Sequence, residues 1–256
     1  MGVEAVMLVV LLAVAVLLWA QQLRSGNAGW VDVFWSWGTG LTGMLYLLVG
    51  DGSALPRAVA GVLLLTWALR LGSHIFQRVR NDPEEDGRYA AMRQALGSRT
   101  QPVFFLFYLG QGLLAWVFSL PFSVIGDQQN AEPLLVITGL LIGMGAIFGE
   151  SVADAQLKRF KARSDSRGKT CREGLWRYSR HPNYFFEWLH WCSYPLVATG
   201  AALFGFLWLL PIAMLAFLWF VTGIPYTEKQ ALKSRGDDYR KYQRTTSAFF
   251  PWRPRS

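Results

Sequence analysis

Seven apolar runs, at roughly 3–20, 30–49, 55–76, 103–126, 133–156, 184–199 and 203–224, divide this chain from end to end. Most reach the ~20 residues that a helix needs to cross a bilayer. The rest of the composition agrees: 52% of residues are hydrophobic and twelve are tryptophan. Both point to a polytopic membrane protein rather than a soluble domain. The sixth run is the weakest, being short and holding Pro195. Counted separately from the seventh, it makes the chain a seven-transmembrane-helix bundle, all-α.

Charge placement tests that count. The segments 77–101, 157–183 and 225–256 carry five, nine and eight of the 25 Lys and Arg residues. Basic loops collect on the cytoplasmic side. A seven-helix path with the N-terminus outside and the C-terminus cytoplasmic puts all three there. The net charge of +8 is then topological, and it suits an anionic cytoplasmic ligand. Nucleic acid is a poor partner, because no separate soluble basic domain exists. The expected location is a bacterial inner membrane.

The organisation reads as one membrane domain over 1–256, without linker, repeat or low-complexity run. MGVEAV at the start has Glu4 and no Lys or Arg, so the first run reads as a span rather than a signal peptide. The two cysteines, Cys171 and Cys192, form neither a disulfide framework nor a metal spacing, and no metal is expected. GTGLTG (Gly38–Gly43) lies inside an apolar run, where small residues serve helix packing better than a nucleotide turn. The loop NDPEEDGRY (Asn81–Tyr89) is turn-rich and becomes helical through Ala90–Leu96. The tail from Pro225 to Tyr242 has helical composition and ends in the aromatic FFPW (Phe249–Trp252).

Chemistry concentrates in Gly174–Trp188, GLWRYSRHPNYFFEW, where a basic segment meets an apolar one. A snorkelling cuff explains its arginines. It does not explain Asn183 and Glu187, four residues apart and so on one helical face. Other polar groups recur at helical spacing: Arg70, His74 and Arg78 on the third run, and Glu150, Asp154 and Lys158 on the fifth. Asp32 opens the second run, and Glu228 follows the seventh. Taken singly, most have plain structural readings. Arg70 can pair with Asp32 or Glu187, Lys158 can pair with Asp154 on the surface, and Trp30, Trp35 and Trp37 fit an aromatic belt. Taken together, so many ionisable groups in one cytoplasmic half imply a polar pocket open to the cytosol.

These residues resemble the membrane steroid 5α-reductase family, especially its bacterial branch. The family's GL-aromatic-x-Y…N-x-x-x-E pattern is matched by Gly174, Leu175, Trp176, Tyr178, Asn183 and Glu187. An acidic residue followed at four by a basic one is matched by Asp154 and Lys158, and basic residues after the third helix by Arg78 and Arg88. The tail pattern is matched by Glu228, Lys229, Leu232, Tyr239, Tyr242, Thr246, Ser247, Phe249 and Pro251. The resemblance implies that NADPH binds from the cytosol through Arg78, Arg88, Asp154, Lys158, Tyr178, His181, Asn183, Glu187 and Glu228. It implies reduction of a carbon–carbon double bond conjugated to a carbonyl, in a hydrophobic enone or steroid-like lipid. Steroid-reducing members carry a Gln-Glu pair on the second helix. This chain has only Asp32 near a comparable position; the family's third-helix tyrosine beside a His/Arg group is not evident, and His74 lies in that neighbourhood.

Hydride addition to the β-carbon leaves negative charge on the carbonyl oxygen, which calls for a positioned donor. Asp32, if protonated by burial, or His74 would supply it. Two other readings stay open. RHPNY (Arg180–Tyr184) resembles the RHPxY motif of isoprenylcysteine carboxyl methyltransferases, which use S-adenosylmethionine and carry an acidic tail before an L…G…Y…Y helix. A non-catalytic lipid-binding protein would need the polar groups only as interhelical glue. Membrane lipids are partners in every case, and no protein partner is expected.

Overall fold

The computed structural model describes residues 2–82, 84–221 and 223–255, and among them every regular element is helical. In chain order these are α1 (Val3–Ser25), α2 (Trp30–Val49), α3 (Ala54–Asn81), α4 (Gly87–Leu96), α5 (Thr100–Gly126), α6 (Pro133–Lys161), α7 (Pro182–Val197), α8 (Phe204–Leu207), α9 (Leu209–Ala216) and α10 (Ile224–Thr245). Single 3₁₀ turns occupy Gly97–Arg99 and Gly174–Arg177, and a π-helical turn occupies Phe217–Val221.

Each of the first six apolar runs becomes one helix. The seventh does not: it breaks into α8, α9 and the π turn. Gly205, Pro211 and Gly223 lie along that stretch, and such residues weaken or interrupt a helix. Five helical stretches are long and apolar enough to cross a membrane: Val3–Ser25, Ala54–Asn81, Gly87–Gly126, Pro133–Lys161 and Phe204–Thr245. Among the described residues, five of the seven expected spans therefore qualify on length and apolarity alone. The two left out are α2, diluted by Ser36, Thr39, Thr42 and three glycines, and the 16-residue α7.

The chain forms two compact units, Met1–Val136 with Ala198–Ala202, and Ile137–Val197 with Leu203–Ser256. In the first, α2 packs against both α3 and α5, and α1 lies along α5. The polar dilution of α2 reflects that position. Ser36, Thr39 and Thr42 are buried, and the Ser36 hydroxyl bonds back to the Val33 carbonyl at 3.0 Å. Gly43 is required by close approach: a Cβ there would collide with Phe122 of α5 and Leu64 of α3. The α2–α3 turn is tied to the end of α5 by Gly52 N–H to Gly126 C=O and Ser53 N–H to Gln128 C=O, both 2.7 Å. Leu17, Leu41 and Leu106 point outward, as lipid-facing side chains do.

In the second unit, α7 packs against α8 and α9, and the π turn against α9 and α10. The Trp176 indole N–H donates to the Ala153 carbonyl of α6 at 2.9 Å, so the turn before α7 is fastened to α6. Phe185, Trp188, Trp219, Phe249 and Phe250 form an edge-to-face aromatic cluster that fixes the FFPW segment. Within α10, Gly236 takes a left-handed φ of 50°, which kinks the helix between Glu228 and Tyr239.

Candidate functional site

In the first unit, side chains from α2, α3 and α4 meet around Asp32. Its carboxylate accepts from Arg88 Nη2 at 2.6 Å and from the Tyr89 hydroxyl at 2.7 Å, with Arg78 Nη2 3.7 Å away. Asp86 completes the group. It caps α4 by accepting from the Arg88 backbone N–H at 2.9 Å, and it pairs with Arg88 Nε at 3.0 Å and Arg78 at 3.1 Å. Burial alone would raise the Asp86 carboxyl, but the hydrogen bonds and charge of Arg88, with the charge of Arg78, hold it below its ordinary value. Beside it, Glu85 accepts from the Ala28 N–H at 2.8 Å and from Arg93 at 2.8 Å. The 84–93 segment is thereby pinned to the start of α2 and the end of α1.

Arg88 is engaged through Nε and Nη2 by Asp32 and Asp86. Arg78 uses only Nη2, and its side chain is 45% exposed. His74 is exposed on α3, and among the described residues no hydrogen bond or ion pair joins it to this cluster. Tyr89 is 2% exposed, and the Arg88 guanidinium lies 5.2 Å from its ring centroid.

The second unit has its own carboxylate centre. Glu228 of α10 accepts from Arg180 Nε at 2.7 Å, Gln243 Nε2 at 2.7 Å and the Tyr239 hydroxyl at 3.3 Å, and it meets His181 Nε2 at 3.3 Å. Arg180 also donates to the carbonyls of Gln243 and Thr246, at 3.0 and 2.7 Å. The His181 ring stacks on Tyr184 with centroids 5.3 Å apart. Burial holds the His181 imidazole below its ordinary value, against the opposing pull of Glu228. The Tyr242 hydroxyl donates to the carbonyls of Trp176 and Ser179. The RHPNY segment and the tail are thus one hydrogen-bonded body.

At the start of α7, Asn183 Nδ2 donates to Asp154 Oδ1 of α6 at 3.3 Å. Lys158, one turn beyond Asp154, is exposed, with no carboxylate partner among the described residues. Tyr178 is exposed, and Glu187 is buried, accepting from the Trp191 indole at 2.9 Å. The expected site residues therefore fall into two groups. Asp32, Arg78 and Arg88 assemble in the first unit; Asp154 with Asn183, and His181 with Glu228, assemble in the second. Sequence reasoning missed Asp86, Tyr89, Tyr239 and Gln243 as site residues. Asp86 and Tyr89 carried a signal in DGRY, an Asp cap followed by a helix start.

A family model described as proteins of unknown function, DUF1295, matches residues 18–246. This chain belongs to that family. Uncharacterized protein C594.04c of Schizosaccharomyces pombe is 24% identical over 260 residues, covering 91% of this chain and 75% of that protein. No solved structure matches. The DUF1295 match covers both carboxylate centres, Asp32 and Glu228, so both lie inside the family's shared region.

Proposed function

We infer that this DUF1295 chain is an NADPH-dependent reductase of a carbon–carbon double bond conjugated to a carbonyl, acting on a steroid-like or other hydrophobic enone. The reading takes the chain across the membrane seven times, N-terminus outside, with the basic segments and the cofactor site facing the cytoplasm. The observation that carries it is the Tyr89 hydroxyl held 2.7 Å from Asp32. A carboxylate taking donors from Arg88, Tyr89 and Arg78 is an acceptor. The donor role expected of Asp32 or His74 therefore passes to Tyr89, with Asp32 as a positioning residue. The hydroxyl turns from Asp32 to the carbonyl oxygen and stabilises the charge that develops there. Arg88 and Arg78 keep Asp32 neutralised meanwhile. The α-carbon takes its proton from water.

The donor set fits a dinucleotide in part. Within the first unit the half-exposed Arg78 suits a phosphate; within the second, Lys158, without a carboxylate partner among the described residues, suits a phosphate, and Asp154 and Asn183 suit hydroxyls. Arg88 fits less well, since its Nε and Nη2 are held by Asp32 and Asp86. NADPH, when bound, supplies the hydride for the β-carbon.

The Glu228 centre favours a second reading, methyl transfer from S-adenosylmethionine. The Glu228, Leu232, Gly236, Tyr239, Tyr242 series follows the methyltransferase tail pattern, and Glu228 binds Arg180 and His181 of RHPNY directly. Thermal titration of detergent-purified protein separates the two, because a ligand that binds the folded state raises the melting temperature by mass action. The reductase reading expects a larger rise with NADPH than with NADH and none with S-adenosylmethionine. A rise with S-adenosylmethionine alone would replace it, and no rise with any of the three would leave a lipid-binding protein.

A further inference from the structure

We propose that a cleft beside the C-terminal tail binds the phosphate group of an anionic membrane lipid. The cleft, about 460 Å³, lies wholly in the second unit and is lined by Arg180, Arg244, Arg253, Arg255 and hydroxyl residues 245–247, with no carboxylate among its lining residues. Arg180 is held by Glu228 and serves as a wall. Arg244, Arg253 and Arg255 are exposed and have no ion-pair partner among the described residues. Three uncompensated guanidiniums around one concavity repel one another unless an anion lies between them. Their planar forks, together with the hydroxyl residues, match phosphate oxygens.

The walls are arranged rather than loose. The Arg255 N–H donates to the Thr245 carbonyl at 2.8 Å, and the Trp252 N–H to the Tyr178 carbonyl at 2.9 Å, so the tail folds back along the end of α10. Arg244 and Arg255 are brought to the same cleft by that return.

The apolar side selects the source of the phosphate. Phe250 and Trp252 also line the cleft, and they are 49% and 75% exposed. Phe250 packs on Trp188 and Phe185, and Phe249 on Trp219 of the π turn, where the last apolar run surfaces. Exposed tryptophan beside arginine marks the membrane–water boundary. A lipid places its phosphate at that level and its chains against the aromatics. A free phosphate or a nucleotide uses the arginines alone. This site uses none of the residues assigned to NADPH or to the carbonyl, so it stands or falls separately from the reductase reading.

The test is thermal stability in neutral detergent with short-chain phosphatidylglycerol, short-chain phosphatidylcholine or inorganic pyrophosphate added. Phosphatidylglycerol should raise the melting temperature more than either of the others. An Arg244→Gln, Arg253→Gln, Arg255→Gln variant should need at least about tenfold more phosphatidylglycerol for the same rise. Replacing the same three by Lys should restore part of the response, which separates charge from folding damage. Native mass spectrometry of wild type and variant reads the bound lipid directly. Equal shifts in wild type and the Gln variant would overturn the site, as would phosphatidylcholine matching phosphatidylglycerol. Pyrophosphate matching phosphatidylglycerol would overturn the lipid source. A changed NADPH response in the Gln variant would overturn the separation from the cofactor.

Discussion

Asp32 and Glu228 are both carboxylates that organise arginines, but they balance charge differently. Around Asp32 two carboxylates face two arginines, and the second carboxylate, Asp86, comes from the same short segment as Arg88. Around Glu228 a single carboxylate holds Arg180, His181, Tyr239 and Gln243, groups up to 48 residues away in the chain. Both join segments far apart in the chain, Asp32 reaching Arg88 and Tyr89 and Glu228 reaching Arg180 and His181. The first shares its arginines with a second carboxylate and orients one tyrosine. The second is a clasp that bears its arginine alone, so its loss leaves that arginine without a counter-ion.

The largest expected effect breaks the clasp. Glu228→Ala leaves Arg180, whose side chain is 12% exposed, without its counter-ion. Losing one member of such a buried pair costs about 3–5 kcal/mol. Chemical unfolding in detergent should show it, and the Glu228→Ala, Arg180→Ala double variant should cost less than the two singles added. Additive costs would mean that the two residues act apart.

Asp32→Ala should cost less, about 1.5–3 kcal/mol, because its charge-assisted bonds are partly solvated and Asp86 still holds both arginines. The same unfolding experiment checks it. A cost equal to that of Glu228→Ala would erase the contrast between the centres.

Gly236→Ala tests the geometry of the clasp. Nothing crowds an added methyl there, so the cost is that of a backbone conformation (φ 50°, ψ −121°) that L side chains rarely adopt, about 1–3 kcal/mol. Unfolding midpoints for the two proteins measure it, and no loss would mean that the kink is dispensable.

Much of this was legible in the sequence. Alternating apolar and basic segments predict the helices, and the small residues of Gly38–Gly43 predict the tight seat of α2 between α3 and α5. Asn183 with Asp154, and His181 with Glu228, were both among the expected site residues. Three features were not legible. The last apolar run reads as continuous because hydropathy averages over Pro211 and the flanking glycines. Tyr89 reads as one more aromatic until Asp86 starts α4 and turns the hydroxyl onto Asp32. The Arg78 and Arg88 positions look equivalent by charge, and only pairing geometry shows that Arg88 is bound more closely to Asp32 than Arg78 is.

The smallest expected effect is a pH slope. The folded-state imidazole of His181 is held below its unfolded value, so the unfolded chain takes up the proton first and stability falls as pH drops below about 6.5. The melting temperature should therefore fall between pH 7 and 5.5. Melting temperatures of wild type and His181→Gln across that range read it, and the slope should flatten in the variant. An unchanged slope would assign the titration to another group.

The central functional claim rests on Tyr89 polarising a carbonyl, and isotope transfer tests it most directly. Protein in lipid nanodiscs is given a hydrophobic enone with NADPH deuterated at the nicotinamide C4, and the product is read by mass spectrometry. The account predicts deuterium on the β-carbon with wild type, and a rate at least about 100-fold lower with Tyr89→Phe, which loses only about 1 kcal/mol of stability. Deuterium transfer at the wild-type rate in Tyr89→Phe, or none from wild type with any of a panel of enones, would contradict it.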